Sequence, residues 1–177
     1  FRKKFSEILP EMRSRFYQSL LGDIAQAASA TSELVTDTKG YPAETTFSCY
    51  VPDYATVGKD TISITLPPFK EVLPNLTGTV RETPIAIRAT DQTGETVIVR
   101  FPEGYTEIEH LPESFDQQMI RNKVFSEMED GTLSVRIVRE TKIPCSFMDE
   151  APMADYLKAC RRQSSSRANR TITVRRP

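Results

Sequence analysis

Short runs of alternating apolar and polar residues recur along this chain, and they constrain its fold more than any other feature. The apolar members of the clearest runs are Ile62, Ile64 and Leu66; Val97, Val99 and Phe101; Leu133, Val135 and Ile137; and Ile172 and Val174. Successive side chains of a strand point to opposite faces, so each run predicts a strand with one buried face and one wet face. Turn residues interrupt the runs about every 8 to 12 residues, which is typical of an antiparallel β-sandwich.

The runs and their flanking residues define a set of predicted strands and turns. The predicted strands cover residues 24–37, 44–52, 60–66, 84–90, 95–101, 105–109, 122–128, 132–140 and 170–175. The segments DQTG at 91–94 and EDG at 129–131 are predicted hairpin turns, because Gly adopts a positive φ without steric cost. Pro102 and Gly104 predict a further turn in the segment FPEGY.

Two helices are predicted beside the strands. The first begins at Pro10, where proline fits the first helical position, and it ends at Gly22. Its apolar face consists of Met12, Phe16, Leu20 and Leu21. The second lies in DEAPMADYLKACRRQ, residues 149–163, before the last strand. Its apolar face consists of Met153, Tyr156, Leu157 and Cys160.

The predicted fold class is mainly β: an antiparallel β-sandwich with an N-terminal helix and one helix before the last strand. Two packed β-layers, or two lobes, remain open as its arrangement. Residues 66–84 are rich in Pro and turn residues, so we place a boundary near residue 80. Residues 1–80 then hold the N-terminal helix and a first β-layer, and residues 81–177 hold a second β-layer with the C-terminal helix and strand.

Composition and charge exclude several classes of protein. An apolar content of 38% is ordinary for a globular chain and argues against intrinsic disorder. Lys and Arg number 23 and Asp and Glu 24, so no overall field attracts nucleic acid or acidic lipid. No run is long and apolar enough for a membrane span. The start FRKKF lacks an initiator Met and a signal-peptide core, so we expect a fragment or a processed chain of a longer protein.

The three cysteines are odd in number and have no CxxC spacing, which argues against a disulfide framework and a zinc site. They are interpreted as small buried hydrophobes, with one Cys49–Cys145 bridge left open because both lie in or beside predicted strands. A Cys–His active site is not predicted, since no cysteine lies at a helix start. Cys160 lies late in its helix, where only Arg161 and Arg162 favour a thiolate.

His110, the single histidine, lies in an acidic stretch. Its neighbours in the sequence include Glu103, Glu107, Glu109 and Glu113. Strand alternation places Glu107 and Glu109 on one face and His110 on the other, so the three do not converge on a metal ion. The acidic stretch is therefore interpreted as a strand edge that its charges protect from pairing. No catalytic residue, cofactor or metal ligand is predicted.

The C-terminal region is basic, and no acid follows Asp155. The cluster consists of Lys158, Arg161, Arg162, Arg167, Arg170, Arg175 and Arg176. Because apolar residues alternate with these charges and no aromatic residue follows Tyr156, a solvated face is favoured over a nucleic-acid site. We expect this face to meet the acidic stretch 103–116.

Tyrosines near turns and strand ends are the remaining candidates for a binding surface. The predicted ligand surface consists of Tyr50, Tyr54 and Tyr105, because stacking platforms are placed at such positions. The chain has no Trp, which makes a carbohydrate platform less favourable.

Three motifs occur in a characteristic order. They are R-x-x-P-I at Arg81–Ile85, FPEGY…LPES at Phe101–Ser114, and the closing helix followed by the basic strand. Together with the helix LPEMRSRFYQSLL and the run GTLSVRIVRE, they resemble the C-terminal β-rich domain of exported bacterial transglutaminase-like proteins. The resemblance spans nearly the whole chain. In such proteins an N-terminal β-domain and a papain-like core with Cys, His and Asp precede this domain.

The resemblance implies a noncatalytic accessory domain that packs on or positions a preceding catalytic core of the same chain. The parent would be a transglutaminase-like protein acting as a protease or peptide-modifying enzyme, located in the periplasm, at the cell surface or outside the cell. The alternative is an independent adhesion or ligand-binding module that uses Tyr50, Tyr54 and Tyr105. An enzyme in its own right ranks third.

Overall fold

The computed structural model describes residues 9–37, 39–40, 43–67, 85–86, 92–117, 120–142, 147–148, 153–154 and 170–177. The chain divides into two compact units, which we call the N-terminal unit, Phe1–Tyr54, and the C-terminal unit, Ala55–Pro177. The predicted boundary near residue 80 lies outside the described residues and stays a prediction.

The N-terminal unit combines one helix with short strands. Its elements are α1 (Pro10–Ile24), β1 (Ser29–Ala30), β2 (Val35–Asp37), β3 (Glu44–Thr46) and β4 (Cys49–Tyr50). β1 pairs with β4 and β2 with β3, both antiparallel. A chain of hydroxyls links the helix to the second pair: Tyr17 Oη lies 3.1 Å from Thr36 Oγ1, which lies 3.0 Å from Thr45 Oγ1.

Helix α1 begins as predicted, with Pro10 in its first turn and Glu11 beside the positive end of the helix dipole. The prediction that Gly22 ends it is wrong. Apolar spacing continues from Leu21 to Ile24, and the backbone N–H of Ala25 donates to the carbonyl of Leu21 at 3.1 Å. Glycine inside a helix costs about 1 kcal/mol relative to alanine, which does not terminate it here. Residues 24–37, predicted as a single strand, consequently contain the end of the helix and the two short strands β1 and β2.

No described residue of the N-terminal unit is buried. Phe16, Leu20 and Leu21 are half-buried, whereas Leu9 is 66% and Met12 is 57% exposed. The unit therefore has secondary structure and no hydrophobic core among its described residues.

The C-terminal unit contains the longer strands. They are β5 (Ala55–Val57), β6 (Thr61–Thr65), β7 (Ile85–Ala86), β8 (Gln92–Arg100), β9 (Glu107–His110), β10 (Phe115–Asp116), β11 (Ile120–Glu129), β12 (Thr132–Lys142), β13 (Phe147–Met148) and β14 (Thr171–Arg175). Sheet 1 has the order β10-β11-β12-β8, and sheet 2 has the order β5-β6-β14-β9; β7 pairs with β13. All these pairs are antiparallel.

The predicted alternation is confirmed where the two sheets meet. Val135 and Ile137 of sheet 1 are 0% and 1% exposed, and Ile172 and Val174 of sheet 2 are both 0% exposed. The other fully packed members of this core are Ile62, Leu66, Phe101, Tyr105 and Leu133. Residues of both sheets thus share one buried core, which confirms a mainly β, sandwich-like fold with an N-terminal helix.

Two of the three predicted turns are confirmed. Asp130 and Gly131 have φ values of 46° and 77°, so they form the two-residue hairpin loop that right-handed strand twist favours. Gly104 has a φ of 87°, and Tyr105 N–H donates to Pro102 O at 3.3 Å. The predicted turn at 91–94 is wrong over Gln92–Gly94. These residues extend β8 because the long strand β12 provides pairing partners for them.

Several predictions concern residues outside the described ranges. Met153 and Ala154 are helical and Met153 is buried, as expected, but the rest of the predicted helix 149–163 is outside the described residues. The same holds for Cys145 and Cys160. Of the predicted strand 84–90, the described part is β7, which pairs with β13.

Replacing Ile137 with Ala should lower the free energy of unfolding by about 2–5 kcal/mol, because the side chain is fully buried between the sheets. Ile98→Ala is the matched control, since Ile98 lies on the neighbouring strand and is 52% exposed. Chemical denaturation of both variants measures the difference. Equal destabilisation would contradict the position of the core.

Candidate functional site

The three tyrosines of the predicted ligand surface differ in exposure. Tyr50 is 61% and Tyr54 is 37% exposed in the N-terminal unit. Tyr105 is 5% exposed and belongs to the core of the C-terminal unit. The expectation that Tyr105 is an exposed platform is therefore wrong. Any ligand role of Tyr50 and Tyr54 stays a prediction.

The burial of Tyr105 follows from the turn that precedes it. The Pro102–Tyr105 turn directs the ring into the core, and the guanidinium of Arg176 lies 4.5 Å from the ring centroid. The backbone N–H of Arg176 donates to Asp60 O at 2.9 Å, which fixes the chain beside the ring. The tyrosine is consequently a structural residue.

His110 lies on a different face of β9 from the one that alternation predicted. Val174 pairs with Ile108, but Thr173 pairs with His110. A β-bulge therefore leaves Glu109 with no residue opposite it on β14. Paired residues point to the same side of a sheet, and the bulge therefore brings His110 to the face that carries Glu107. The prediction that it faces the opposite side is wrong.

Arg175 lies between the acidic residues of β9. It contacts the carboxylate of Glu107 closely, and its Nε lies 3.5 Å from Glu109 Oε1. The hydrogen bond to Glu107, followed by the charge of Glu107, raises the pKa of Arg175 above its usual range. Contact between the basic C-terminal region and the acidic stretch is thus confirmed for Arg175.

The bulge does not create a metal site among the residues that the structure describes: no group of three or more His, Cys, Asp and Glu side chains there could hold a metal ion. Cys49 is a half-buried free cysteine, so the Cys49–Cys145 bridge left open by the sequence is not formed in this structure. No helix in the described part of the chain is long and apolar enough to cross a membrane.

Sheet 1 carries a polar row on its core-facing side that sequence analysis missed. The register aligns Asn122, Arg139 and Glu95 across three strands. Arg139 is 4% exposed; its Nη2 lies 2.6 Å from Glu95 Oε2, and its Nη1 donates to Pro67 O at 3.2 Å. Position 139 continues the apolar phase of Leu133 to Ile137, so alternation predicts a hydrophobic residue there. The pair with Glu95 explains how a charge is accommodated.

The other side of sheet 1 carries the second feature that sequence analysis missed. We call it the outer-face groove, a depression of about 240 Å³ lined by Ile98 and Arg100 of β8, Phe125, Glu127 and Glu129 of β11, and Ser134 and Arg136 of β12. The register aligns these residues in rows across the strands. One row is Phe125–Arg136–Ile98, and the next is Glu127–Ser134–Arg100.

The groove exposes apolar and ionic groups side by side. Ile98 is 52% and Phe125 is 40% exposed, and the guanidinium of Arg136 lies 4.8 Å from the Phe125 ring centroid. Within the described residues, no ion pair involves Glu127, Glu129 or Arg100. A signal was present in the sequence, since Val97–Ile98–Val99 and Val124–Phe125 place apolar residues on both faces of their strands. Such residues and uncompensated charges can engage another molecule.

Comparisons of the chain with protein-family models, with curated proteins and with solved structures find no match. The resemblance to transglutaminase-like proteins therefore rests on the sequence motifs alone, and the function it implies stays a prediction.

Tetranitromethane should nitrate Tyr50 rapidly and Tyr105 slowly, because the first ring is exposed and the second is buried beneath Arg176. Peptide mass spectrometry after limited reaction measures both sites in the same sample. Arg176→Ala should raise the nitration rate of Tyr105 and leave that of Tyr50 unchanged. Rapid nitration of Tyr105 in the unaltered chain would contradict its position in the core.

Proposed function

We propose that this chain is a noncatalytic accessory domain that packs on a neighbouring domain of the same protein. Following the motif resemblance, that neighbour is the papain-like core of an exported transglutaminase-like protein, a protease or peptide-modifying enzyme. Catalysis would belong to the preceding core, and the parent protein would act in the periplasm, at the cell surface or outside the cell.

The observation that carries the proposal is the absence of buried side chains among the described residues of the N-terminal unit. A helix of 15 residues is marginal alone in water and gains most of its stability by burying one face against another element. None of the described side chains of this unit is buried. A neighbouring domain that covers the unit would supply the missing burial.

The first turns of α1 provide the surface for this contact. Leu9, Met12 and Phe16 are spaced three and four residues apart, so they follow one side of the helix axis. Leu9 and Met12 are more than half exposed, and Phe16 is half-buried. We call these three residues the α1 stripe. An exposed apolar stripe of this kind is typical of a contact surface between domains.

An independent binding module is the second candidate, and one local feature favours it. Tyr50 and Tyr54 are exposed on either side of Asp53, a non-glycine residue with a φ of 53°. Left-handed backbone at a non-glycine residue is uncommon and concentrates at turns and functional sites. A ligand would then stack on one or both rings, without Tyr105.

Hydroxyl-radical footprinting of Met12 and Met128 tests the accessory role with an internal control. The two side chains are 57% and 52% exposed, so they should oxidise at comparable rates in residues 1–177 alone. In the full-length gene product a neighbouring domain should cover the α1 stripe and protect Met12. Met128, at the β11–β12 hairpin, should oxidise at an unchanged rate.

Equal oxidation of Met12 in the two proteins would contradict the accessory role, as would a gene product that contains no catalytic domain before these residues. Protection of Tyr50 with no change at Met12 would instead favour the binding module. Met12→Gln and Met128→Gln form a matched pair for the same question, since only the first should loosen a domain contact. Limited proteolysis of the full-length protein measures that loosening.

A further inference from the structure

The charges of the outer-face groove form a self-complementary pattern, which can pair with the same pattern on a second copy of the chain. In the row Glu127–Ser134–Arg100 an acid and a base lie on either side of a small hydroxyl residue. Adjacent strands are about 4.8 Å apart, so the backbones of Glu127 and Arg100 are separated by about 10 Å. Neither side chain takes part in an ion pair within the described residues, and both are exposed.

From this pattern we infer that the outer face of sheet 1 binds a second copy of the chain, face to face, about a two-fold axis parallel to β12. Rotation about that axis exchanges the β11 and β8 sides of the sheet. Glu127 then faces the partner's Arg100, and Arg100 faces the partner's Glu127. One row thus forms two ion pairs by symmetry, with Ser134 of each copy near the axis.

The neighbouring rows fit the same rotation. Phe125 comes opposite the partner's Ile98, which buries the two exposed apolar side chains of the face together. In the following row, Lys123–Val138–Thr96, the half-buried Val138 lies near the axis and packs against its symmetry mate. Arg136 lies on the central strand β12, close to the axis. Its guanidinium stacks on the Phe125 ring of β11 and is therefore displaced from the axis. The two Arg136 guanidiniums are therefore displaced to opposite sides.

The area of the outer face of sheet 1 limits the expected stability of the dimer. Outer-face rows that cross all three strands number four. At about 7 Å per row and about 4.8 Å per strand they correspond to roughly 400 Å² per copy, about half of the ~800 Å² per partner of stable complexes. A weak, reversible dimer follows, which forms at high protein concentration. Because ion pairs carry its orientation, the dimer should weaken as salt increases. The inference concerns the C-terminal unit and does not depend on the accessory role proposed for the N-terminal unit.

Sedimentation velocity of the 177-residue chain over ~10 μM to ~1 mM tests the inference. The unaltered chain should form dimers at low salt. Raising NaCl from ~10 mM to ~1 M shortens the Debye length from about 30 Å to about 3 Å and should reduce dimerisation. Arg100→Glu and Glu127→Arg should each raise Kd at least ~10-fold, because each places like charges opposite one another twice.

Charge reversal then provides a rescue that only this pairing explains. The double variant R100E/E127R restores opposite charges in both contacts and should dimerise like the unaltered chain. An equimolar mixture of the two single variants should form a heterodimer, although neither variant self-associates. Lys59→Glu is the matched control: it makes the same charge change as R100E at an exposed turn between β5 and β6, and it should leave Kd unchanged.

Circular dichroism of each variant confirms that these exposed positions tolerate the change, and the salt titration of the unaltered chain needs no substitution at all. A chain that stays monomeric at ~1 mM in low salt would overturn the inference. It would equally be overturned by single variants that dimerise normally, or by a mixture and a double variant that both fail to associate. The last result would assign the groove to a different partner.

Discussion

The contact between the two sheets of the C-terminal unit is the interaction on which the rest of the structure depends. Strand β14 contributes Ile172 and Val174 to that contact, and it lies in the middle of sheet 2, between β6 and β9. The last strand of the chain is therefore hydrogen-bonded on both sides. Sheet 2 cannot form without it, and sheet 1 then has no opposing face against which to bury Val135 and Ile137.

Contacts at the end of β14 connect this core to the surface. Arg175 pairs with the acids of β9 and Arg176 covers Tyr105, so the charged residues beyond the buried pair attach the neighbouring strand and turn. Exposed ion pairs add little free energy individually. They lie at the end of β14, where they join Arg175 to Glu107 and Glu109 of β9. The position of His110 follows from the pairing of β9 with β14 and from the bulge beside it.

The two units differ in how they achieve stability. Within the described residues, all the buried side chains belong to the C-terminal unit, whereas the N-terminal unit leaves Leu9 and Met12 in contact with solvent. A sheet that buries one face can be independent, and a helix with a half-exposed apolar stripe gains stability from a further surface. The outer-face groove of sheet 1 likewise exposes two apolar side chains, Ile98 and Phe125.

The alternation of apolar and polar residues predicted much of the fold, because the apolar residues of each run are the ones that the sandwich buries. The apolar phases of β6, β8, β12 and β14, the Asp130–Gly131 turn and the start of α1 all follow from neighbouring residues. The helix end expected at Gly22 failed for a local reason, since the helix continues to Ile24. Three other predictions failed where a distant partner decides the outcome. Pairing with β12 makes Gln92–Gly94 part of a strand where a turn was expected. A bulge opposite Thr173 places His110 on the other face of β9 from the predicted one. Arg176, near the C-terminal end, helps to bury Tyr105. The outer-face groove was missed because it depends on register across three strands.

Native-state hydrogen exchange, followed for individual backbone amides, tests the central claim most directly: the C-terminal unit contains a core, and the described residues of the N-terminal unit form none. Amides of β11, β12 and β14 should exchange only through global unfolding, because the sandwich opens as one unit. Amides of α1 should exchange much faster, through local opening that leaves the sandwich intact. Equal protection of α1 and the sandwich strands would show that the helix shares the core, and it would contradict this account.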